Sequence, residues 1–254
     1  MTFIYEPQGR AREYAGLACN IYRGCAHQCV YCFAPGATHK TRAEFSQPAP
    51  RSATFLLDLQ KELEKRDGKG NNHGRVLLCF TCDPYQELDV ELQLTRQTIK
   101  LLHRYGYGVT VLTKGGARAM RDIDLFTPDD AFATTLTFLD GDDSVKWEPG
   151  AALPDNRIYV ISRFHQRGIP TWVSLEPVIK PQVALDIIFR TAPYVDAYKV
   201  GTWNHDQRAK EIDWRIFAHN VTARLDLMGY ARQMDPDALG KGQYYVKKDL
   251  AKWL

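Results

Sequence analysis

No stretch of this chain approaches the roughly 18 consecutive apolar residues that a bilayer-spanning helix requires. The opening "MTFIYEPQGRAREY" lacks the apolar core of a secretory signal. The expectation is a protein of the reducing cytoplasm with no membrane partner. Internal repeats, low-complexity tracts and linker-like runs are also missing, which excludes solenoids and flexibly tethered domains. Cysteine is scarce, with 6 in the chain. In a reducing compartment these are read as thiols or metal ligands rather than a disulfide framework. An excess of one charge is absent as well. The 33 Lys and Arg against 30 Asp and Glu leave +3, which neither argues for nucleic acid nor excludes it.

What the chain has is length and an ordinary core. Its 254 residues, 44% hydrophobic and 25% charged, suit one α/β domain. Short β-branched or aromatic runs at 17–22, 75–80, 108–113, 131–138, 171–176 and 195–201 read as six strands. Helical patterns lie between them, at 53–66, 91–105, 117–123, 156–166, 182–192 and 209–228. The first puts Phe55, Leu56, Leu59 and Leu63 on one face, and "DGKGNNHG" (67–74) breaks it; the second has Leu94, Thr98, Leu101 and Leu102 inward. Such alternation predicts parallel pairing with right-handed crossovers. Six units fit a partial barrel or a doubly wound sheet. Residues 1–228 form the expected core, and 229–254 fall outside the alternation as a C-terminal extension packing on it.

The densest chemistry is in "RGCAHQCVYCFAP", where Cys25, Cys29 and Cys32 follow the first strand at C-x3-C-x2-C spacing. Loops leaving the C-terminal ends of parallel strands line active sites. Three soft ligands are an incomplete set. Structural zinc wants four, and Cys19 or His27 is the available fourth. An iron–sulfur cubane on three thiolates keeps one iron open to a small molecule.

"CAHQCVYC" resembles the signature of radical S-adenosylmethionine enzymes, and "NIYRGCAHQCVYCFAP", "FTCDPYQELDVELQLTRQTIKLL" and "VLTKGGARAMRDIDLF" are similar to the spore photoproduct lyase-like branch. The resemblance implies a partial (β/α)6 barrel. It implies a 4Fe–4S cluster on Cys25, Cys29 and Cys32, with S-adenosyl-L-methionine on the open iron and Tyr31 beside the adenine. It also implies reductive cleavage to a 5′-deoxyadenosyl radical, fed by an electron donor such as flavodoxin or ferredoxin. The lyase reaction itself is not implied.

Other residues sit where strand ends deliver them. Lys114 follows the third strand and is expected to face the methionine carboxylate, or solvent. Thr81 and Asp83 end the second strand, near the methionine amine by resemblance; Asp83 before Pro84 equally suits a turn. Thr135 and Thr137 alternate with Thr134 and Leu136, so one pair faces inward, toward ribose or simply as strand formers. Glu176 ends an apolar strand, and a carboxylate there needs a partner or a solvated mouth; ribose hydroxyls or the substrate are its expected partners. Trp203 and His205 would overhang the pocket. In the tail, Lys241, Lys247, Lys248 and Lys252 interleave with Tyr244, Tyr245 and Trp253, a pattern that suits either nucleic acid or an amphipathic end. Cys82 is a candidate hydrogen donor, with Cys79 deeper in the core and at most one of the two at the mouth. Two functions stand: a radical enzyme, acting on a nucleic-acid base, a peptide or a small molecule, or a non-catalytic, metal-stabilised nucleic-acid-binding protein.

Overall fold

Strand β1 is Ile4–Tyr5, β2 Leu17–Cys19, β3 Tyr22–Arg23, β4 Ala49–Pro50, β5 Arg75–Leu78 and β6 Gly108–Thr113. Then come β7 Ala131–Thr135, β8 Thr171–Leu175, β9 Ala197–Val200, β10 Ala231–Gln233 and β11 Gln243–Val246. They belong to a computed structural model that describes residues 2–67 and 74–254, so most of the expected break at 67–74 lies outside the described residues. Nine strands form one sheet in the order β1-β2-β5-β6-β7-β8-β9-β11-β10, with β3 and β4 a separate ribbon. Every pair in the large sheet is parallel except β1 with β2. This is the expected α/β architecture, and its six central strands are those read from the sequence.

Strand alternation sorts the side chains. Val109, Val111, Phe132, Val173 and Tyr198 face the helical layer, which presents Leu59, Leu63, Leu102, Ile161, Phe164 and Ile188. Each such side chain, fully buried, contributes about 1.5–3 kcal/mol. The opposite phase (Ala131, Ala133, Ala197 and Trp172) lines the concave side with Tyr14 and Leu112. Pro154 and Pro181 open their helices at the first turn, and the Asp213 carboxylate caps Ile216 N–H at 2.9 Å.

Several strands stop earlier than their patterns suggest. The first ends at Cys19, the second at Leu78, the fourth at Thr135 and the fifth at Leu175. The reason is visible beyond β5, where Phe80 and Thr81 N–H both donate to the Asn20 side chain at 2.9 Å instead of a neighbouring strand. Left-handed Gln93 (φ 49°) divides the second expected helix into Leu88–Leu92 and Leu94–Arg104. A helix at Gly141–Trp147 had no periodic signal, and the expected 209–228 helix begins only at Trp214.

The C-terminal segment continues the sheet. β11 pairs with β9, Tyr244 opposite Tyr198 and Val246 opposite Val200, and β10 lies beyond it. The short 3-10 turn Gly9–Glu13 joins this end of the sheet to the other. Glu13 accepts from the Tyr245 hydroxyl at 2.9 Å and from Lys248 N–H at 2.7 Å. No helix among the described residues is long and apolar enough to cross a membrane.

Candidate active site

A cavity of about 480 Å³ opens at the C-terminal strand ends. Cys25, Cys29, Tyr31 and Cys32 line one side, Thr81, Asp83, Lys114 and Thr135 the strand ends, and Glu176, Asn204 and Lys247 the other side.

The cysteine loop is held from all directions. Gly24 enters it at φ 89°, and a Cβ there would lie 2.5 Å from the Phe45 carbonyl, so only glycine fits. Cys25 N–H donates to that carbonyl at 2.8 Å, Ala26 N–H to Gln86 Oε1 at 2.9 Å, and Val30 N–H to the Trp147 carbonyl at 2.8 Å. Arg42 donates to the Cys29 and Val30 carbonyls at 3.1 and 2.5 Å. His27 is buried, and that burial pulls its pKa down to about 4. Its Nδ1 lies 3.4 Å from Asp83 and its Nε2 3.1 Å from Arg118. Both ring nitrogens are therefore engaged, and Cys19 is buried in β2 outside the cavity. Burial also pushes the Cys29 thiol up to about 12, against the pull of Lys114, and raises Cys25 well above its ordinary value. Ligand binding there must release protons.

Behind the loop lies a charged network that no motif announced. The Tyr31 hydroxyl donates to Glu148, which pairs with Arg157 at 2.5 Å, both charges almost wholly buried. Arg157 also donates to the Thr135 carbonyl at 3.0 Å. Burial would raise the Glu148 carboxyl, but Arg157 and Lys114 hold it below its ordinary value. Lys114 Nζ sits 5.5 Å from the Tyr31 ring centroid. Burial works against its charge, yet Cys29 and Glu148 outweigh that and raise its pKa.

The strand ends sort the remaining candidates. Thr135, in phase with Ala131 and Ala133, reaches the cavity, while Thr137 lies 3.4 Å from the Tyr31 hydroxyl behind it. Asp83 serves its turn: it accepts from Tyr85 N–H at 2.9 Å, the Thr113 hydroxyl at 2.6 Å and Lys114 N–H at 2.7 Å. Glu176 accepts from Lys247, from the Tyr14 hydroxyl at 2.7 Å and from Asn204 at 3.2 Å. His205 lines the cavity, in a left-handed conformation (φ 65°). Trp203 does not; it packs edge-on to Trp147 at 5.7 Å under the Arg208 guanidinium.

One expectation is corrected. Both Cys79 and Cys82 line the cavity, because β5 ends at Leu78 and the following bend breaks the alternation that would have parted them. Of the two readings of the tail, the structure shows the end that packs on the domain. Tyr244, Tyr245 and Lys247 are buried, leaving Lys241, Lys248 and Lys252 exposed.

No protein-family model matches the chain. An uncharacterised protein of Methanocaldococcus jannaschii is 24% identical over 184 residues, 70% of this chain and 67% of that protein. One from Mycobacterium tuberculosis is 28% identical over 174 residues, 65% of this chain and 49% of that protein. Among solved structures, a spore photoproduct lyase mutant matches 97% of this chain and 79% of its own, with TM-score 0.68 at 12% identity. SuiB of Streptococcus suis, bound to S-adenosylmethionine, matches 90% of this chain with TM-score 0.64 at 12% identity. The chain spans about half the length of SuiB and of the mycobacterial relative (49% of each). The fold of this chain is the fold that these two solved structures share.

Proposed function

We propose that the chain is a radical S-adenosylmethionine enzyme with a 4Fe–4S cluster on Cys25, Cys29 and Cys32. The observation that carries this reading is that all three thiols wall the same cavity as the strand-end groups Thr81, Lys114 and Thr135. Among the described residues no three His, Cys, Asp or Glu side chains converge on one ion position. A cubane takes each thiolate on a separate iron, so thiols spread around a cavity suit it. When bound, the cluster and S-adenosyl-L-methionine supply a one-electron cleavage that yields methionine and a 5′-deoxyadenosyl radical.

The chain's own residues bind and orient. Lys114 offers a cation to the methionine carboxylate, and the Tyr31 ring, fixed through Glu148 and Arg157, offers a face to the adenine. Thr81 and Asp83 are the residues that would meet the amine, although Asp83 already accepts three hydrogen bonds. Thr135 lines the cavity and would meet a ribose hydroxyl, and Glu176 would have to share its oxygens with Lys247, Tyr14 and Asn204 to do the same. A small one-electron carrier of the flavodoxin or ferredoxin type is the proposed partner. A nucleic-acid base remains a proposed substrate: one spore photoproduct lyase neighbour holds a dinucleoside spore photoproduct, whereas SuiB holds a precursor peptide.

Anaerobic reconstitution with iron and sulfide tests the reading. Brown protein with broad absorption near ~400 nm that releases 5′-deoxyadenosine supports it. Colourless protein holding one zinc returns the chain to the metal-stabilised, non-catalytic alternative. The burial of Tyr244, Tyr245 and Lys247 counts against that alternative's nucleic-acid tail.

A further inference from the structure

Two arginines on the turn Gly9–Glu13 are used differently. Arg12 is spent on Asp237, to which both of its terminal nitrogens donate. Arg10 lines the active-site cavity, and its ion-pair contact is Nε to Asp249 at 3.9 Å, beyond hydrogen-bond reach. That Asp249 oxygen already accepts from the Thr202 hydroxyl at 2.8 Å and from Asn204 at 2.9 Å. Among the described residues no acceptor meets the terminal nitrogens of Arg10. The chain just after it is firmly held: Lys199 donates to the Glu13 and Tyr14 carbonyls, each at 2.9 Å. His205 reaches the same cavity from the loop after β9. It is exposed and sits at φ 65°, a conformation that costs energy in a residue with a side chain. Its neighbours are anchored, Asn204 to Glu176 and Asp249, Asp206 to Arg208, while the imidazole has no hydrogen bond among the described residues. Asp249, close to Arg10 and bonded to Asn204, brings Arg10 and His205 to one part of the rim. Phe33, Phe80 and Tyr14 also line the cavity, as a row of rings with centroids 5.6 and 5.8 Å apart.

We propose that Arg10 and His205 form an anion-binding subsite at the cavity mouth, so that the substrate is a compound with a flat, apolar body and a phosphate or carboxylate group. Calling the bound molecule a substrate rests on the radical reading above; the subsite itself does not. A guanidinium with both terminal nitrogens free is a planar fork that matches two oxygens of either group. The imidazole adds a ring N–H from a second segment of the chain. The other cations of the cavity are committed. Lys247 is paired with Glu176, and Lys114 faces the cosubstrate in that reading. The carboxylates there leave room for an anion. Glu176 is satisfied by Lys247, Tyr14 and Asn204, and Asp249 holds Arg10 only across 3.9 Å. The ring row offers the body of such a compound aromatic faces and edges to pack on.

The test is equilibrium binding to reconstituted full chain with S-adenosylmethionine present, using two pairs of probes that differ in the anion. Phenyl phosphate against phenol reads the phosphate, and benzoate against benzyl alcohol reads the carboxylate. At low salt the parent should favour at least one anion over its neutral partner by about tenfold. The larger preference tells which group the substrate carries. Arg10→Gln should abolish the preference, Arg10→Lys should keep part of it, and His205→Ala should narrow it. Arg12→Gln, on the same turn, should keep it whole. The ratio of anion to neutral probe is the readout, because a merely structural loss lowers both affinities alike. No preference in the parent would overturn the proposal. So would an unchanged ratio in Arg10→Gln or His205→Ala, or an equal loss in Arg12→Gln, which would make the effect one of general surface charge. Release of 5′-deoxyadenosine from the same samples separates the two readings. Cleavage without an anion preference sinks the subsite alone; an anion preference in protein with neither cluster nor cleavage upholds the subsite and sinks the radical reading.

Discussion

The two walls of the cavity are built differently. The wall with Cys25, Cys29 and Cys32 comes from one short loop, held mainly through its backbone, so its thiols point into the cavity with their metal-binding capacity unspent. The far wall joins residues distant in the chain. Glu176 meets Tyr14 across 162 positions, Lys247 across 71 and Asn204 across 28, and together they satisfy its carboxylate. One wall is arranged to receive, the other to hold itself together. Substitutions in the first should therefore cost binding, and substitutions in the second should cost stability.

The sharpest way to break this contrast is to remove a thiolate. Cys25→Ala, Cys29→Ala and Cys32→Ala should each abolish cluster assembly, because two thiolates cannot retain a cubane with one iron already open. Iron and sulfide analysis reads it, and near-normal iron in any variant defeats the assignment.

On the far wall, Lys247→Ala strands a carboxylate in a largely buried pair. The expected loss is about 3–5 kcal/mol in urea unfolding, with Lys247→Arg retaining most of it. A stable Lys247→Ala protein would show that Tyr14 and Asn204 suffice.

Back on the loop side, Lys114→Ala should weaken S-adenosylmethionine binding by roughly 10- to 100-fold, about 1.5–3 kcal/mol, with iron content unchanged. Equilibrium titration of reconstituted protein checks it. Equal affinities would leave Lys114 only its contacts with Tyr31 and Glu148.

The smallest effect lies outside both walls. Asp130 precedes β7 and accepts from Thr127 N–H and Val109 N–H, each at 2.7 Å, with His103 at 2.9 Å. Burial works to raise its carboxyl, but these partners outweigh it and hold the pKa below 3.8. A carboxyl lowered on folding contributes stability above 3.8 and loses it as pH falls through the folded value. Acid titration of stability should be flatter in Asp130→Asn than in the parent, whereas superimposable slopes would remove Asp130 from the acid response.

The same contrast explains what the sequence disclosed. Six strands and the cysteine loop were legible because hydrophobic period and C-x3-C-x2-C spacing are local signals. Lys114, Thr81 and Thr135 were legible because parallel strands present their C-terminal ends together. Glu148 and Arg157 carried no such sign, since a buried charge looks like a surface charge until its partner is known. Lys247 was ambiguous for the same reason: its neighbours suited either a basic strip or a packed end, and its partner Glu176, just past β8, lies 71 positions away. Cys79 is buried in the core as expected, but alternation did not part it from Cys82 because the strand ends at Leu78.

The sheet order carries a consequence for how the chain is made. β11 lies between β9 and β10 although it follows both in sequence. During synthesis β10 therefore emerges with no strand to join, and the edge of β9, Ala197–Val200, stays open until residues 243–246 have left the ribosome. An open edge of that kind invites pairing with another nascent chain. A ribosome stalled shortly before residue 243 would display this edge, and with it a Glu176 whose lysine has not yet been made.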